Sequence, residues 1–546
     1  MNSCFWPKTC RHTFSSLSID IRFYTHYNSK QMYLRTVERK NKNGTVVQYL
    51  QLAHNERDPH TKKPVARIIH NFGRADKLDR DVLVRLCKSI ARICGVTVLD
   101  THDTPGKEIR TDDIKLIQTL EIGSVSVIEQ LWEKLGIGEI LRQLINSKGC
   151  KIPYDQALLA MVANRLCAPD SKMGVWDRWL SKVYLPKCWD LNLRHMYEAM
   201  DLLYQHSEKI EKEVFNQTAD LFNLEVDLIF YDTTTVSFSI DEEDEDESEL
   251  EEGLRKYGHS KSGVWSPQVV VALAVTREGI PVRCWVFKGN MSDVKTVEHI
   301  RKDLRKWKLG RALFVADSGM NSEENRVELA RACGKYLLAS RMATVSDVKR
   351  DVLSKRGRYR VIKDNLHAKE VIVGDGERRR RYILCYNPKE AKRQRKHREM
   401  VVQKLEEELS SHRDNNVTAQ WAIELLASRR YKRYLTVTKK GKVRLNRGAI
   451  SEASRYDGKW VIETNDDTIG FEDAASGYKS LLVIERCFRS LKKTQIKMEP
   501  VYHWSPRRIE SHIKICVLSL LIQRIAELAC DMPWNKIYNI LERLQV

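Results

Sequence analysis

The sequence predicts an α/β fold: a catalytic-type core of β-β-β-α-β-α-β order, interrupted by a β-rich insertion and preceded by a β meander and a helical region. Three observations lead there. Leu228–Val236 and Ala312–Ala316 are apolar, β-branched runs of strand length, so both read as buried strands. Asp232 lies inside the first run and Asp317 closes the second, where Ser-Gly marks a turn. Far downstream, Tyr478–Lys493 has helical spacing and carries Glu485.

Taken in order, residues 1–31 are rich in Ser, Arg, Thr and aromatics, with Asp20 as their one acid and no continuous apolar stretch. They are expected to be a disordered extension. Residues 32–110 read as a meander plus helix. Strands Tyr33–Glu38, Val46–Leu52 and Val65–Asn71 are separated by Gly- and Pro-containing turns, and Asp79–Cys94 follows as a helix with Leu83, Leu86 and Ile90 inward. Arg35, Arg39, Lys40 and Lys62 make this meander basic enough to lie along phosphates.

Residues 111–224 are mostly helical. Ser124–Leu135, Glu139–Asn146, Tyr154–Leu166, Met173–Leu180 and His195–Leu221 each show apolar i, i+3/i+4 spacing. Small helices joined by tight turns are the raw material of helix-turn-helix readers and equally of any helical scaffold. The first part of the core spans 225–340. It has strands Leu228–Val236, Gln268–Thr276 and Val282–Phe287, helix Val294–Trp307, the Asp317 strand, helix Glu323–Cys333 and strand Tyr336–Ala339.

A basic insertion covers 341–457. Its cationic clusters Arg378–Arg381, Lys392–Lys396 and Arg429–Arg433 interleave with Tyr382, Tyr386, Tyr431 and Tyr434, a pattern that suits a clamp on DNA with aromatics stacking on an unpaired base. Residues 458–546 return to the core, through Trp460–Thr464, the Glu485 helix and C-terminal helices.

Composition narrows the function. The chain has 546 residues, 42% hydrophobic, enough for more than one sizeable core. Its net charge is +20, and ten acids fall within Asp241–Glu252, so the remainder carries +30. Such an excess is the electrostatic footprint of a polyanion binder, and the acidic run itself reads as a solvated linker. The 13 cysteines are scattered, with no Cys-x-x-Cys, which argues against zinc fingers or a disulfide framework and for a reducing cytoplasm. No apolar run approaches a membrane span; the best, Ile515–Ile522, is interrupted by Ser519 and reads as a buried helix.

The three acids carry the chemistry. A carboxylate in a buried strand is costly unless paired or bound to a metal. Two acids on neighbouring strands and one from a helix suit two divalent ions about 3.5–4 Å apart, the arrangement that cleaves phosphodiesters. Each acid alone has a blander reading. Asp317 is ordinary turn chemistry, and Glu485 with Arg489 four residues on is a surface pair of about 0.2–0.5 kcal/mol. On one continuous helix, seven residues advance about 10.5 Å and almost two turns. Tyr478, Glu485 and Lys492 then form one stripe, with Arg489 beside it.

The motifs Tyr257-Gly-His-Ser-Lys-Ser-Gly263, Pro267–Val275, Gly279-Ile-Pro-Val282 and Phe287-Lys-Gly-Asn-Met-Ser-Asp293 resemble the core of bacterial insertion-sequence transposases. Within these the chain is similar to the DDE branch with a long insertion before the catalytic Glu, the insertion-sequence-four superfamily. The resemblance runs from about Met32 to the C-terminus. It implies a ribonuclease H-like core with Asp232, Asp317 and Glu485 as catalytic metal ligands, the aspartates falling on adjacent central strands. The signature Tyr-x2-Arg-x3-Glu-x6-Lys falls on Tyr478, Leu481, Glu485 and Lys492, with Leu481 replacing the arginine.

The resemblance further implies two Mg²⁺ ions per site, with Mn²⁺ able to substitute, Tyr478, Arg489 and Lys492 as DNA contacts, and terminal-repeat recognition by the helical region 111–224. The expected partners are double-stranded DNA, both terminal inverted repeats and target, bound by a dimer with no membrane involved. The expected function is cut-and-paste transposition by a cytoplasmic, nucleoid-associated enzyme. The alternatives are a structure-directed DNA nuclease or a catalytically inactive, transposase-derived DNA-binding protein.

Overall fold

The computed structural model describes residues 32–40, 46–57, 64–94, 118–146, 152–224, 226–245, 253–261, 263–307, 309, 312–331, 334–376, 379–411, 419–439 and 442–546. The extension 1–31, the meander turns and residues 246–252 of the acidic run lie outside them. The chain divides into two units, one ending at Gln118 and one running from Thr119 to Val546.

In the first unit β1 (Met32–Lys40), β2 (Val46–Arg57) and β3 (Pro64–Arg74) form an antiparallel sheet in sequential order. Helix α1 (Arg80–Cys94) follows. Leu83 is half-buried, but Leu86 and Ile90 are exposed rather than inward.

The second unit opens with helices α2 (Gly123–Lys134), α3 (Ile137–Asn146), α4 (Tyr154–Cys167) and α5 (Leu193–Phe222). The Met173–Leu180 segment is no single helix. It is a turn at Lys172–Gly174, a π turn at Val175–Trp179 and a 3₁₀ turn at Leu180–Lys182, which bury Val175, Trp179 and Leu180. Helix α4 is buried without a break from Ala157 to Cys167. A helix enclosed on every side cannot enter a DNA groove, so α4 is scaffold.

The sheet that positions the candidate site is built from β4 (Leu228–Ser237), β5 (Lys256–His259), β6 (Trp265–Val275), β7 (Pro281–Lys288), β8 (Leu313–Ala316) and β9 (Tyr336–Ser340). Helix α6 (Asp293–Lys306) joins β7 to β8, and α7 (Glu323–Ala330) joins β8 to β9. β4, β8 and β9 are parallel neighbours, and β6 runs antiparallel on the far side of β4. The β-β-β-α-β-α-β order is therefore present, with β5 as an added edge strand.

The insertion does not stand apart from this sheet. β10 (Arg360–Lys363), β11 (Leu366–Val373) and β12 (Arg380–Tyr386) pair in series onto β15 (Lys459–Thr464), which pairs with β9. Between β12 and β15 lie α8 (Pro388–Ser411), α9 (Ala419–Ala427), the β13 (Leu435–Val437) and β14 (Val443–Leu445) hairpin, and α10 (Arg447–Ser454). They enclose a small core of Val401, Leu405, Leu425, Tyr434 and Leu435. The chain closes with α11 (Phe471–Lys479), α12 (Leu482–Arg489), α13 (Pro506–Cys530) and α14 (Trp534–Leu541). Ile515–Ile522 is buried inside α13, as its composition requires.

The two faces of the sheet are covered differently. Ile229 and Tyr231 of β4 join Ala272, Ala274, Phe314 and Leu338 in a core with Val297, Ile300 and Leu304 of α6. Strand side chains alternate, so Leu228, Phe230 and Asp232 face the other way. On that side Gly477 of α11 sits against Leu228. Helices α4 and α13 meet through Ser519 Oγ, which donates to the Val162 carbonyl at 3.2 Å. Trp534 Nε1 of α14 and Gln495 Nε2 both donate to the Leu166 carbonyl.

Candidate active site

The β4–β8 register sets the relation between the two aspartates. Leu228 pairs with Leu313, Ile229 with Phe314 and Phe230 with Val315. Counted two residues past the last pair, Asp232 and Asp317 occupy corresponding positions just beyond the ladder, near enough for the Asp317 charge to act on Asp232. β8 stops at Ala316, so Asp317 is exposed at its end, and beyond Phe230 that edge of β4 has no strand partner. The segment after α12 covers it. Lys492 Nζ donates to the Thr235 carbonyl at 2.5 Å, and Ser237 N–H donates to Glu499 Oε1 at 3.1 Å.

Two further side chains join the aspartates. Lys261 Nζ lies 3.6 Å from Asp232 Oδ1 and 3.7 Å from Asp293 Oδ2. Thr233 Oγ1 donates to Asp293 Oδ1 at 2.6 Å. Sequence reasoning named neither Lys261 nor Asp293 as a site residue, although both stand in the motifs quoted for the family. Asp293 directly follows Ser292 at the first position of α6, a helix-start pattern that places it beside the strand ends.

Burial pushes the Asp232 carboxyl above the usual carboxylate range. Lys261 and the Thr233 N–H oppose that shift, and the charges of Asp293 and Asp317 add to it. A raised folded-state value means that ionised Asp232 works against the fold: its contribution is most favourable below the unfolded carboxylate pKa and is lost as pH rises through the folded value. At neutral pH, therefore, Asp232→Asn is expected to raise the melting temperature of the metal-free protein, by about 1–3 °C. Calorimetry in EDTA reads this, and a lowered midpoint would contradict it.

The signature segment departs from one continuous helix. Ser480 (ψ −6°) and Leu481 (ψ −24°) form a tight turn between α11 and α12, with Leu481 N–H on the Tyr478 carbonyl and Ile484 N–H on that of Leu481. A π turn, Ser490–Thr494, then follows α12. These i→i−3 and i→i−5 pairings break the seven-residue stripe, since tight and wide turns rotate the chain by different amounts per residue.

Tyr478 points at the aspartates: its hydroxyl donates to Asp317 Oδ1 at 3.4 Å. Burial first, and then Asp317, hold this phenol well above its usual range. Glu485 and Arg489 are exposed on α12. Lys492 is committed to Thr235 and lies 3.5 Å from Glu499.

The aspartate pair suits a hard divalent ion. Its donors are carboxylate oxygens, those of Asp232 partly desolvated and those of Asp317 exposed, with the Asp317 charge acting on Asp232. Among the described residues, however, no group of three or more His, Cys, Asp or Glu side chains stands close enough to hold a metal. The fit thus belongs to the pair, and the structure does not bring Glu485 to it.

The basic surface is more selective than composition suggests. Arg379 pairs with Asp467 and Arg380 with Glu323 at the surface, and the buried Arg381 pairs with Glu370, so these three already have acidic partners; Arg378 lies outside the described residues. Lys392, Arg395 and Lys396 on α8, and Arg429, Arg430, Lys432 and Arg433, are exposed. Tyr382 and Tyr434 are buried in cores and cannot stack on a base. Among the described residues, the most exposed aromatics lie outside these clusters, at Trp265, Tyr502 and Trp504. The acidic run begins as ordered structure: Asp244 pairs with Arg255, and Glu243 accepts from the Tyr257 N–H at 2.8 Å.

Comparison with known proteins adds two family matches. Residues 34–100 match the IS1634 family transposase N-terminal domain, and residues 227–522, more than half of the chain, match the transposase DDE domain. No curated protein matches. Among solved structures, the chain is similar to a piggyBac transposase in a synaptic complex with hairpin DNA. The identity is 10% and the TM-score 0.35, over 71% of this chain and 70% of that one. None of the described helices is long and apolar enough to cross a membrane.

Proposed function

The chain belongs to the DDE transposase family, and from that premise we propose that it cleaves element ends in a metal-dependent reaction and joins the freed 3′-hydroxyls to target DNA. The observation that supports this is the pair of parallel strands β4 and β8, whose ladder ends two residues short of Asp232 and Asp317, with the Asp317 charge acting on Asp232. In this reading Asp232, Asp317 and Glu485 hold two Mg²⁺ ions, with Mn²⁺ able to replace them. When bound, the ions activate the attacking oxygen and offset charge on the leaving one. The chain's own contribution is placement. The strands carry the two aspartates, the Tyr478 hydroxyl donates to Asp317, and Glu485, exposed on α12, is the third ligand of this proposal. Arg489 is exposed to take a phosphate, while Lys492 acts on β4 and reaches DNA only if it leaves Thr235.

The partners proposed are terminal inverted repeats and target DNA, held by a dimer that synapses two ends in the cytoplasm at the nucleoid. The exposed cations of α8 and of 429–433 supply the attraction. The test is incubation of the purified protein with linear DNA ending in the inverted repeats that flank its own gene, with Mg²⁺ and a target plasmid. The proposal expects cut ends bearing 3′-hydroxyls and joined products, both abolished by EDTA. Cutting without joining would leave a nuclease in place of a recombinase.

A further inference from the structure

The tip of the β5–β6 hairpin is held over the aspartates by its own bonds. Ser260 N–H donates to the Val264 carbonyl at 2.8 Å, Val264 N–H to Ser260 Oγ at 3.0 Å, and Gly263 takes φ +85° to close the turn. Lys261 N–H then donates to Thr235 Oγ1 at 3.0 Å, which fastens the tip to β4 three residues beyond Asp232. From this anchor the Lys261 ammonium lies between carboxylates of two different elements, Asp232 of β4 and Asp293 of α6. Both separations exceed an ordinary hydrogen bond, and the side chain is 45% exposed. The arrangement is an electrostatic contact with room to leave.

We propose that Lys261 is a displaceable internal counter-ion: it neutralises the site acids in the metal-free protein and is driven out toward a DNA phosphate when divalent metal enters. This rests on the metal reading of the aspartate pair. A lysine suits the role because its charge is compact and its stem flexible, whereas a guanidinium would lock onto one carboxylate. A divalent ion held by Asp232 and Asp317 would compete with the ammonium for the one carboxylate they share, that of Asp232, so metal entry loosens the hold on Lys261. A scissile phosphate nearby gives that ammonium a new partner. DNA and metal therefore favour each other's binding through one side chain. Lys261 is on this account a positioning residue, which ties metal loading to the presence of substrate.

The test is Mn²⁺ titration followed by the electron paramagnetic resonance of free Mn²⁺, on the full chain with and without element-end DNA. Lys261→Met is expected to bind Mn²⁺ about five- to tenfold more tightly than wild type without DNA, and to gain less from adding DNA. Lys261→Arg keeps the charge and is expected to lack the gain in affinity. Equal or weaker binding by Lys261→Met, or the same change in both variants, overturns the proposal. Asp232→Asn separates the underlying reading. If it binds Mn²⁺ as wild type does, the aspartates are not the metal site. If it loses binding while Lys261→Met shows no gain, only the lysine's role is wrong.

Discussion

Asp317→Asn lowers cleavage of element-end DNA by at least about a thousandfold while DNA affinity stays within about twofold of wild type. Asparagine keeps the size of the side chain and an oxygen for the Tyr478 hydroxyl, so the local fold is retained. What it removes is the charge that a divalent ion needs. Affinity survives because attraction to DNA comes from the net +20 spread over the chain, of which one exposed carboxylate is a small part. Asp232→Asn gives the same division, joined to the higher melting temperature expected from its partly desolvated carboxylate. Gel shift beside single-turnover cleavage reads both quantities. A variant that cuts at near the wild-type rate removes that aspartate from the site.

Raising monovalent salt from 50 to 200 mM weakens binding to element ends by about a thousandfold or more, as expected if six or more phosphates are neutralised. The exposed cations on α8 and at 429–433 are the source, because the arginines of 379–381 already have carboxylate partners in Asp467, Glu323 and Glu370. Replacing Lys392, Arg395 and Lys396 together with alanine should therefore flatten the slope of log affinity against log salt by about 2–3. Replacing Arg379 should leave the slope unchanged. Fluorescence anisotropy across a salt series measures both, and a slope near zero for wild type would contradict the charge argument.

The central strands were legible because Leu228–Val236 and Ala312–Ala316 are apolar and β-branched throughout, as strands covered on both faces must be. Asp232 and Asp317 were conspicuous for the same reason: each is a charge set in or beside such a run. The break at Ser480–Leu481 was not legible. A tight turn between two helices leaves the apolar spacing of its flanks intact, and no Gly or Pro marks it. The insertion strands looked separate because their pairing with β15 and β9 is long-range, and periodicity carries no information about partners.

Helix α4 belongs to the helical region whose spacing suits a DNA reader and a scaffold equally, and spacing does not choose a recognition helix within it. Spacing alone does not reveal that Arg165 and Asn164 on the remaining face are also enclosed, Arg165 donating to the Lys497 carbonyl at 3.0 Å. Lys261 and Asp293 were quoted within motifs but given no role. The contact between them depends on a hairpin folding back over β4 toward the start of α6.

The central claim is that Asp232, Asp317 and Glu485 share one metal site when DNA is bound. Replacing Mg²⁺ with Fe²⁺ and generating hydroxyl radicals at the bound ion tests it most directly, because the backbone is then cut only near the metal. On element-end DNA, the account predicts cuts close to Asp232, Asp317 and Glu485, all lost in Asp232→Asn. Cuts beside the two aspartates with none beside Glu485 would contradict it.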